Sequence, residues 1–251
     1  MISLQALCNY LDDFLQNSNF IDYCPNGLQI EGKPQIKKIA TAVSANLQTI
    51  ETAINNNADA LIVHHGIFWN KDSYCITGIK RKKLDFILKN NISLLAYHLP
   101  LDAHQTIGNN WKAAMDLDWE NLFPFGIFNG SSIGVKGSFN EISIDQFIKK
   151  VEAYYKHSAN VALGGKKNVT SAAIISGGAH TSLTEAAKAD VDCFITGNFD
   201  EPAWNIAYEE SINFLALGHH ATERIGPWTL GLHLAKEFHL KHEFIDSPNP
   251  F

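Results

Sequence analysis

The sequence predicts an α/β protein made of two similar lobes, and three observations predict it. Two stretches run in the same order: IATAVSANLQTIETAINNNADALIVHHG (Ile39 to Gly66) and AAIISGGAHTSLTEAAKADVDCFITGN (Ala172 to Asn198). Each opens with an apolar run, passes a polar turn into an amphipathic segment, and leads to a second apolar run. After another helical stretch, each reaches a third apolar run with a polar exit, ISLLAYHLPLD (Ile92 to Asp102) and INFLALGHHATE (Ile212 to Glu223). In both copies, histidines and carboxylates gather just past the apolar runs. The order strand–helix–strand–helix–strand implies parallel pairing with right-handed crossovers. Its repetition implies an internal duplication, and the long period implies two lobes rather than an array. On this reading residues 1–124 form the first lobe, with 225–251 packing back on it, and residues 125–224 form the second.

The elements follow in order. In MISLQALCNYLDDFLQ the positions Leu4, Leu7, Leu11, Phe14 and Leu15 recur at helical spacing, while Asp12 and Asp13 break the apolar run. That is an amphipathic surface helix, not a signal peptide. Asn46 is placed to cap the helix of the first copy, and Ser182 with Glu185 forms a capping-box pattern for the second. The basic cluster Lys80-Arg81-Lys82-Lys83 fits the solvated first turns of a helix. Between the copies, FPFGIFNGSSIGVKGSFNE (Phe123 to Glu141) is rich in glycine and aromatics and reads as a crossover containing strand. Ser143 with Gln146 opens the next helix, and Pro227 suits the first residue of a C-terminal helix. HEFIDSPNPF reads as a last strand and a tail.

Composition excludes several classes. The 251 residues carry 45% hydrophobic and 18% charged side chains, ordinary for a globular protein. A formal net charge of -6 gives no general attraction to phosphate backbones, so nucleic acid is not the expected partner. No apolar run reaches the length of a membrane span, so no membrane partner is expected. Cys8, Cys24, Cys75 and Cys193 are scattered and form no C-x-x-C pair, which suits a reducing compartment and a cytoplasmic protein.

The chemistry lies past the strand ends, where α/β sheets bind ligands. His64 and His65 follow Ala60 to Val63. His98, Asp102 and His104 follow Ile92 to Tyr97, and His219, His220 and Glu223 follow Phe214 to Leu217. Imidazole with carboxylate is the usual ligand set for zinc, iron and manganese. Each histidine alone is more often structural; three such clusters at equivalent places are what points to metal. Adjacent His64 and His65 diverge on an extended backbone, which favours one per ion. His219 and Glu223, four apart, share a face if a helical turn begins there. Glu223 is able to bridge two ions, and Asp102 to complete a shell, though the pattern alone leaves one ion or two open.

Several motifs resemble the YbgI-like family, often labelled GTP cyclohydrolase type 2-like. They are DYCPNGLQIEG (Asp22 to Gly32), LIVHHGIFW (Leu61 to Trp69), YHLPLDAH (Tyr97 to His104), GNN (Gly108 to Asn110), DCFITG (Asp192 to Gly197), GHHATER (Gly218 to Arg224) and FIDSPNP (Phe244 to Pro250). The resemblance spans the chain. It implies a dinuclear centre in a cleft between two intertwined lobes, with His64 and Asp102 on one ion, His65 and His219 on the other, and Glu223 bridging. It also implies a toroidal homohexamer. Where the family often has a glutamate after ITG, this chain has Asn198, which cannot act as an anionic ligand or base.

The function expected from this reading is a metal-dependent hydrolase acting on a small, anionic molecule: a nucleotide, or a phosphorylated or cyclic-amide compound. His98 and His104, with His220, are candidates for orienting ligands or moving protons. The alternative is a non-enzymatic metal-binding or regulatory scaffold whose ring meets protein partners. No G-x-x-x-x-G-K-S/T phosphate loop is present. Gly177-Gly178 reads equally as an anion site at a helix N-terminus or as a tight turn.

Overall fold

Hydrophobic alternation and helical spacing resolve, in a computed structural model describing residues 1–251, into the elements that follow. The strands are β1 (Ile2–Ser3), β2 (Gly27–Ile30), β3 (Gln35–Ile36), β4 (Lys38–Ser44), β5 (Ala60–His65), β6 (Ser93–Ala96), β7 (Glu120–Phe128), β8 (Ser131–Ser143), β9 (Asn160–Leu163), β10 (Asn168–Ile174), β11 (Cys193–Thr196), β12 (Asn213–Ala216) and β13 (Lys241–Phe244). The helices are α1 (Leu4–Phe14), α2 (Leu47–Asn55), α3 (Gly78–Lys89), α4 (Leu99–Ala103), α5 (Asn109–Asp116), α6 (Ile144–Tyr155), α7 (Leu183–Lys188), α8 (Glu201–Glu209), α9 (His219–Thr222) and α10 (Ile225–Phe238). By compactness the chain divides into one unit of Met1–Leu101 with Gly226–Pro248, and another of Asp102–Ile225 with Asn249–Phe251. Residues 102–124, assigned to the first lobe in the sequence reading, group here with the second unit, where α5 packs on β8.

The first unit holds a five-stranded mixed sheet in the order β13-β4-β5-β6-β2. β4, β5 and β6 run parallel through the expected α2 and α3 crossovers, and β13 adds in parallel beside β4. β2 closes the other edge antiparallel to β6. Ile50, Ala53, Leu61, Val63, Ile87, Leu94 and Ala96 share one apolar cluster. Asn46 caps α2 as its sequence position predicts, its side chain accepting the Thr49 N–H at 2.8 Å.

The second unit holds a six-stranded mixed sheet in the order β7-β8-β10-β11-β12-β9. Again three parallel strands, β10, β11 and β12, carry an antiparallel edge strand, β9. Alternate residues serve opposite faces: Ile174, Ile195 and Leu215 enter one apolar cluster, while Ala173, Phe194 and Phe214 enter the other. Burial on both faces is what continuous apolar runs demand. The glycine-rich crossover is a long hairpin, β7 with β8, and β8 pairs antiparallel with β10.

Three local expectations are corrected. The parallel pairing holds in the central trios and at β13 beside β4, whereas β2, β9 and the β7–β8 hairpin pair antiparallel. Ser182 does not cap α7, since a 3-10 turn at His180–Ser182 precedes it and leaves Ser182 near φ -80°, ψ 2°, with no side-chain cap bond. Helix α10 begins at Ile225, so Pro227 lies inside its first turn rather than opening it.

Each parallel trio is tied at its amino-terminal end by one carboxylate. Asp192 accepts from Lys166 Nζ at 2.7 Å, from the Thr170 N–H at 2.8 Å and from Thr170 Oγ1 at 3.0 Å. Asp59 does the same with Lys33 Nζ at 2.8 Å and with the Lys37 and Lys38 N–H groups at 2.9 and 3.0 Å. Burial works to raise the Asp192 carboxyl, but the Lys166 bond and charge, with Thr170, outweigh it and hold the pKa below the ordinary value. A carboxylate with a depressed folded pKa stabilises the fold above its unfolded value of about 4, and loses that stability as pH falls through the folded value. Asp192→Asn, which turns an amide N–H toward these donors, is expected to cost roughly 1–3 kcal/mol at pH 7. It should also flatten the loss of stability below about pH 4. Urea midpoints at pH 7 and in the acid range measure both; an acid limb as steep as that of wild type would remove the assignment.

Candidate metal centre

The first unit gathers three imidazoles at the carboxyl ends of β5 and β6. His64 is fully buried and its Nδ1 lies 3.1 Å from the Tyr97 carbonyl oxygen, past β6. His65 is half-buried and its Nδ1 lies 3.1 Å from Ser44 Oγ, at the end of β4. The two rings are therefore pinned toward the strands on either side of β5. They still end with centroids 4.6 Å apart, so period-two alternation does not separate them as the extended backbone implied. His98 follows β6, its centroid 4.8 Å from His64 and 5.6 Å from His65. Trp69 lies beside His65 and His98. Ring nitrogens of His64, His65 and His98 lie within 4.8 Å of one another, a group able to hold a metal ion.

Asp22 supports this cluster, and the sequence reading gave it no role. Burial works to raise its carboxyl; the hydrogen bond and charge of His98, with Asn26 and the Leu99 N–H, outweigh burial and hold it below the ordinary value. Asp22, Cys24 and His98 also form a group of donor size. Burial first, then the Asp22 charge, pushes the Cys24 thiol up to about 12.

The second unit supplies a carboxylate-rich set. Asp102 is buried, and its Oδ1 accepts from Asn109 Nδ2 at 2.8 Å and from Ser176 Oγ at 2.9 Å. These two bonds fix the plane of the carboxylate, and neither donor stood out in sequence, although Asn109 lies in the GNN motif. The expected helical turn is α9. It brings His219 Nε2 to 3.1 Å from Glu223 Oε1, with Glu223 only 3% exposed. Asn198 Oδ1 lies 3.1 Å from His219 Nδ1, so the residue that breaks the glutamate pattern acts as the acceptor that orients this ring. A cavity of about 520 Å³ opens beside them, lined among others by His157, Asn160, Asn198, Phe199 and His219.

Gly177, at φ +66°, leaves room for Glu223: a Cβ there would run into Glu223 Oε1 and approach His219 Nε2 to 3.2 Å. Close packing against a carboxylate, rather than an anion site, accounts for this glycine. His104 takes a different place. Its Nδ1 accepts the Thr106 and Ile107 N–H groups, each at 3.3 Å, in the turn after α4. His220 is buried.

The donor chemistry fits metal. Carbonyl, carboxylate and amide oxygens only accept, so Nδ1 of His64, His98 and His219 carries the proton, and at His64 and His98 Nε2 presents a lone pair. For His65 the Ser44 hydroxyl permits the same state. Fixing one ring nitrogen so that the other coordinates is how protein imidazoles are prepared as ligands. At His219 the consequence is sharp. Nε2 faces the Glu223 carboxylate at 3.1 Å, which is favourable only when a proton or a cation is shared there.

A family model described as Duf34/NIF3 (NGG1p interacting factor 3) matches residues 2–250. A protein of Chlamydia pneumoniae called GTP cyclohydrolase 1 type 2 homolog is 53% identical over 253 residues, covering 100% of both chains. A protein of the same name from Pseudomonas aeruginosa is 40% identical over 99% of both chains. Among solved structures, protein ybgI, described as of unknown function, superposes with a TM-score of 0.92 at 35% identity over 100% of both chains.

Proposed function

The chain belongs to the Duf34/NIF3 family, and from that membership we propose that it is a metal-dependent hydrolase of small anionic substrates. Its centre uses His64, His65, Asp102, His219 and Glu223 to hold two divalent ions. The observation that carries the proposal is the tethering of each imidazole at Nδ1, which leaves Nε2 as the ligand atom, at His219 beside the Glu223 carboxylate. Following the family resemblance, His64 and Asp102 would hold one ion and His65 and His219 the other, with Glu223 available to both. Such a pair of ions acidifies water and polarises a phosphoryl or carbonyl oxygen.

The chain's own residues do the rest. Asn109 and Ser176 hold the Asp102 carboxylate in one plane, and Asn198 holds the His219 ring. Two carboxylates against two dications leave the centre positive, which favours anionic substrates. The cavity beside His219 is of the size that small-molecule sites have. The name carried by the relatives, GTP cyclohydrolase 1 type 2 homolog, favours a nucleotide or cyclic-amide substrate.

The duplication read in the sequence belongs to the same proposal. Its support is the repeated trio of parallel strands with an antiparallel edge, and the paired contacts of Asp59 with Lys33 and Asp192 with Lys166. Further support is that the Gly32 N–H donates to Ser93 Oγ at 3.1 Å, while the Gly165 N–H donates to Asn213 Oδ1 at the same distance.

Elemental analysis of the purified chain, followed by a screen of phosphoesters, nucleotides and cyclic amides with the metal found, tests the function. Turnover that rises with metal and disappears in Asp102→Ala is the expected result. A metal-replete protein with no turnover on the panel, and an Asp102→Ala variant that keeps cellular function, would favour the scaffold instead.

A further inference from the structure

We propose that His98 is an additional metal ligand, a third imidazole beside His64 and His65, and that Asp22 is the positioning residue that prepares it. The inference rests on the metal reading above. It differs from a role in proton transfer, because it places His98 Nε2 on the ion itself.

His98 Nδ1 lies 2.8 Å from Asp22 Oδ1, and the Asp22 side chain is only 2% exposed. Asp22 is itself held by four donors. Oδ1 accepts from His98 Nδ1 and from the Tyr23 N–H at 2.6 Å; Oδ2 accepts from Asn26 Nδ2 at 2.9 Å and the Leu99 N–H at 3.0 Å. Asn26 Oδ1 accepts the His98 N–H at 2.7 Å. The Asp22–Asn26 loop thus grips both the ring and the backbone of one histidine. A histidine with no task beyond packing needs no such clamp.

With Nδ1 donating to a carboxylate, Nε2 is the basic nitrogen. Ring nitrogens of His64, His65 and His98 lie within 4.8 Å of one another. Nitrogens about 2.0–2.1 Å from one ion stand roughly 3–4 Å apart, so small rotations bring His64 and His98 into a shared shell, with His65 beside it on the other ion. His98 lies closer to His64 than to His65, which assigns it to the ion of His64. Carboxylate, imidazole and metal in line form the arrangement that fixes a ligating ring and raises its basicity. The rival grouping of His98 with Asp22 and Cys24 is weaker, since both Asp22 oxygens already accept two donors each.

The full chain, stripped of metal, is titrated with zinc against a chromophoric chelator. Asp22→Ala is expected to weaken binding roughly 10- to 100-fold, and His98→Ala at least as much. Because Asp22 acts through His98, the double variant should lose no more than His98→Ala alone. The visible absorption of the cobalt-loaded protein should change in both single variants while the circular dichroism of the metal-free forms does not. His98→Ala with wild-type zinc affinity and an unchanged cobalt spectrum would overturn the assignment and leave His98 as a proton relay. Should a variant fail to fold, cadmium-113 coupling to His98 Nε2 in the wild-type protein decides, and its absence also overturns the proposal. A wild-type chain that takes up no metal refutes the centre itself, a separate outcome.

Discussion

Glu223→Gln is expected to strip the protein of most of its metal while leaving the metal-free fold as stable as before. The change is isosteric, but it exchanges a charge for an amide in a group 3% exposed. In the metal-free protein the new amide N–H can donate to His219 Nε2, since His219 Nδ1 is engaged with Asn198. A neutral hydrogen bond then replaces the shared-proton contact between imidazole and carboxylate, so the pair stays satisfied in the apo form. For the metal-loaded form the same change removes the one anion proposed to touch both ions. A loss of roughly 100-fold or more in affinity follows, beyond that of an outer-sphere change. His65→Ala, which removes one neutral ligand of one ion, should lose less. Elemental analysis of both variants, with thermal unfolding of the stripped proteins, separates the two effects. Two ions per chain in Glu223→Gln would mean that this carboxylate does not bridge.

Gly177→Ala is expected to be the most damaging methyl group that can be added near the centre. Two costs combine. An alanine at φ +66° costs roughly 1–2 kcal/mol in backbone strain. The added Cβ also runs into the Glu223 carboxylate, and overpacking of this kind costs roughly 1–3 kcal/mol more. Gly178→Ala is the matched control: its Cβ would meet nothing nearer than Asn198 Nδ2 at 3.5 Å, ordinary contact. Unfolding midpoints should therefore separate neighbouring substitutions by several degrees, with metal content falling only for Gly177→Ala. Equal behaviour of the two variants would show that Glu223 can retreat without loss, and that the glycine is only a turn.

Much of the fold was legible in the sequence because its signal is local. Apolar runs such as Leu61 to Val63 and Phe214 to Leu217 end in polar residues, and sheets buried on both faces write strands in that manner. The histidines and carboxylates past those runs stand out in the sequence for the same reason, and His219 with Glu223 stand on one turn as their spacing predicts. What escaped is set by contacts distant in sequence. Asp22 reaches His98 across 76 positions, and Ser176 reaches Asp102 across 74. No periodicity encodes such pairs. The antiparallel edges β2 and β9 escaped because short segments carry little periodic signal. Ser182 failed as a cap because its own backbone turned helical one residue early, a choice made by the preceding 3-10 turn. Asn198 was noticed only as a missing charge, whereas the structure shows what its oxygen does.

The edge strand β13 has a consequence for how the protein comes into being. It pairs with β4 in register Lys241 to Lys38 and Phe244 to Thr41, some of the longest-range pairings in the chain. During synthesis the sheet of the first unit therefore stays open along β4 until β13 has been made. The second unit is nearly continuous in sequence and can complete its sheet first. The usual vectorial order, N-terminal part before C-terminal part, is reversed here. Until β13 emerges, β4 offers an unpaired edge, and unpaired edges template association with other chains. Slow, non-local closure of this kind predicts that growing or truncated chains depend on chaperones more than the finished protein does.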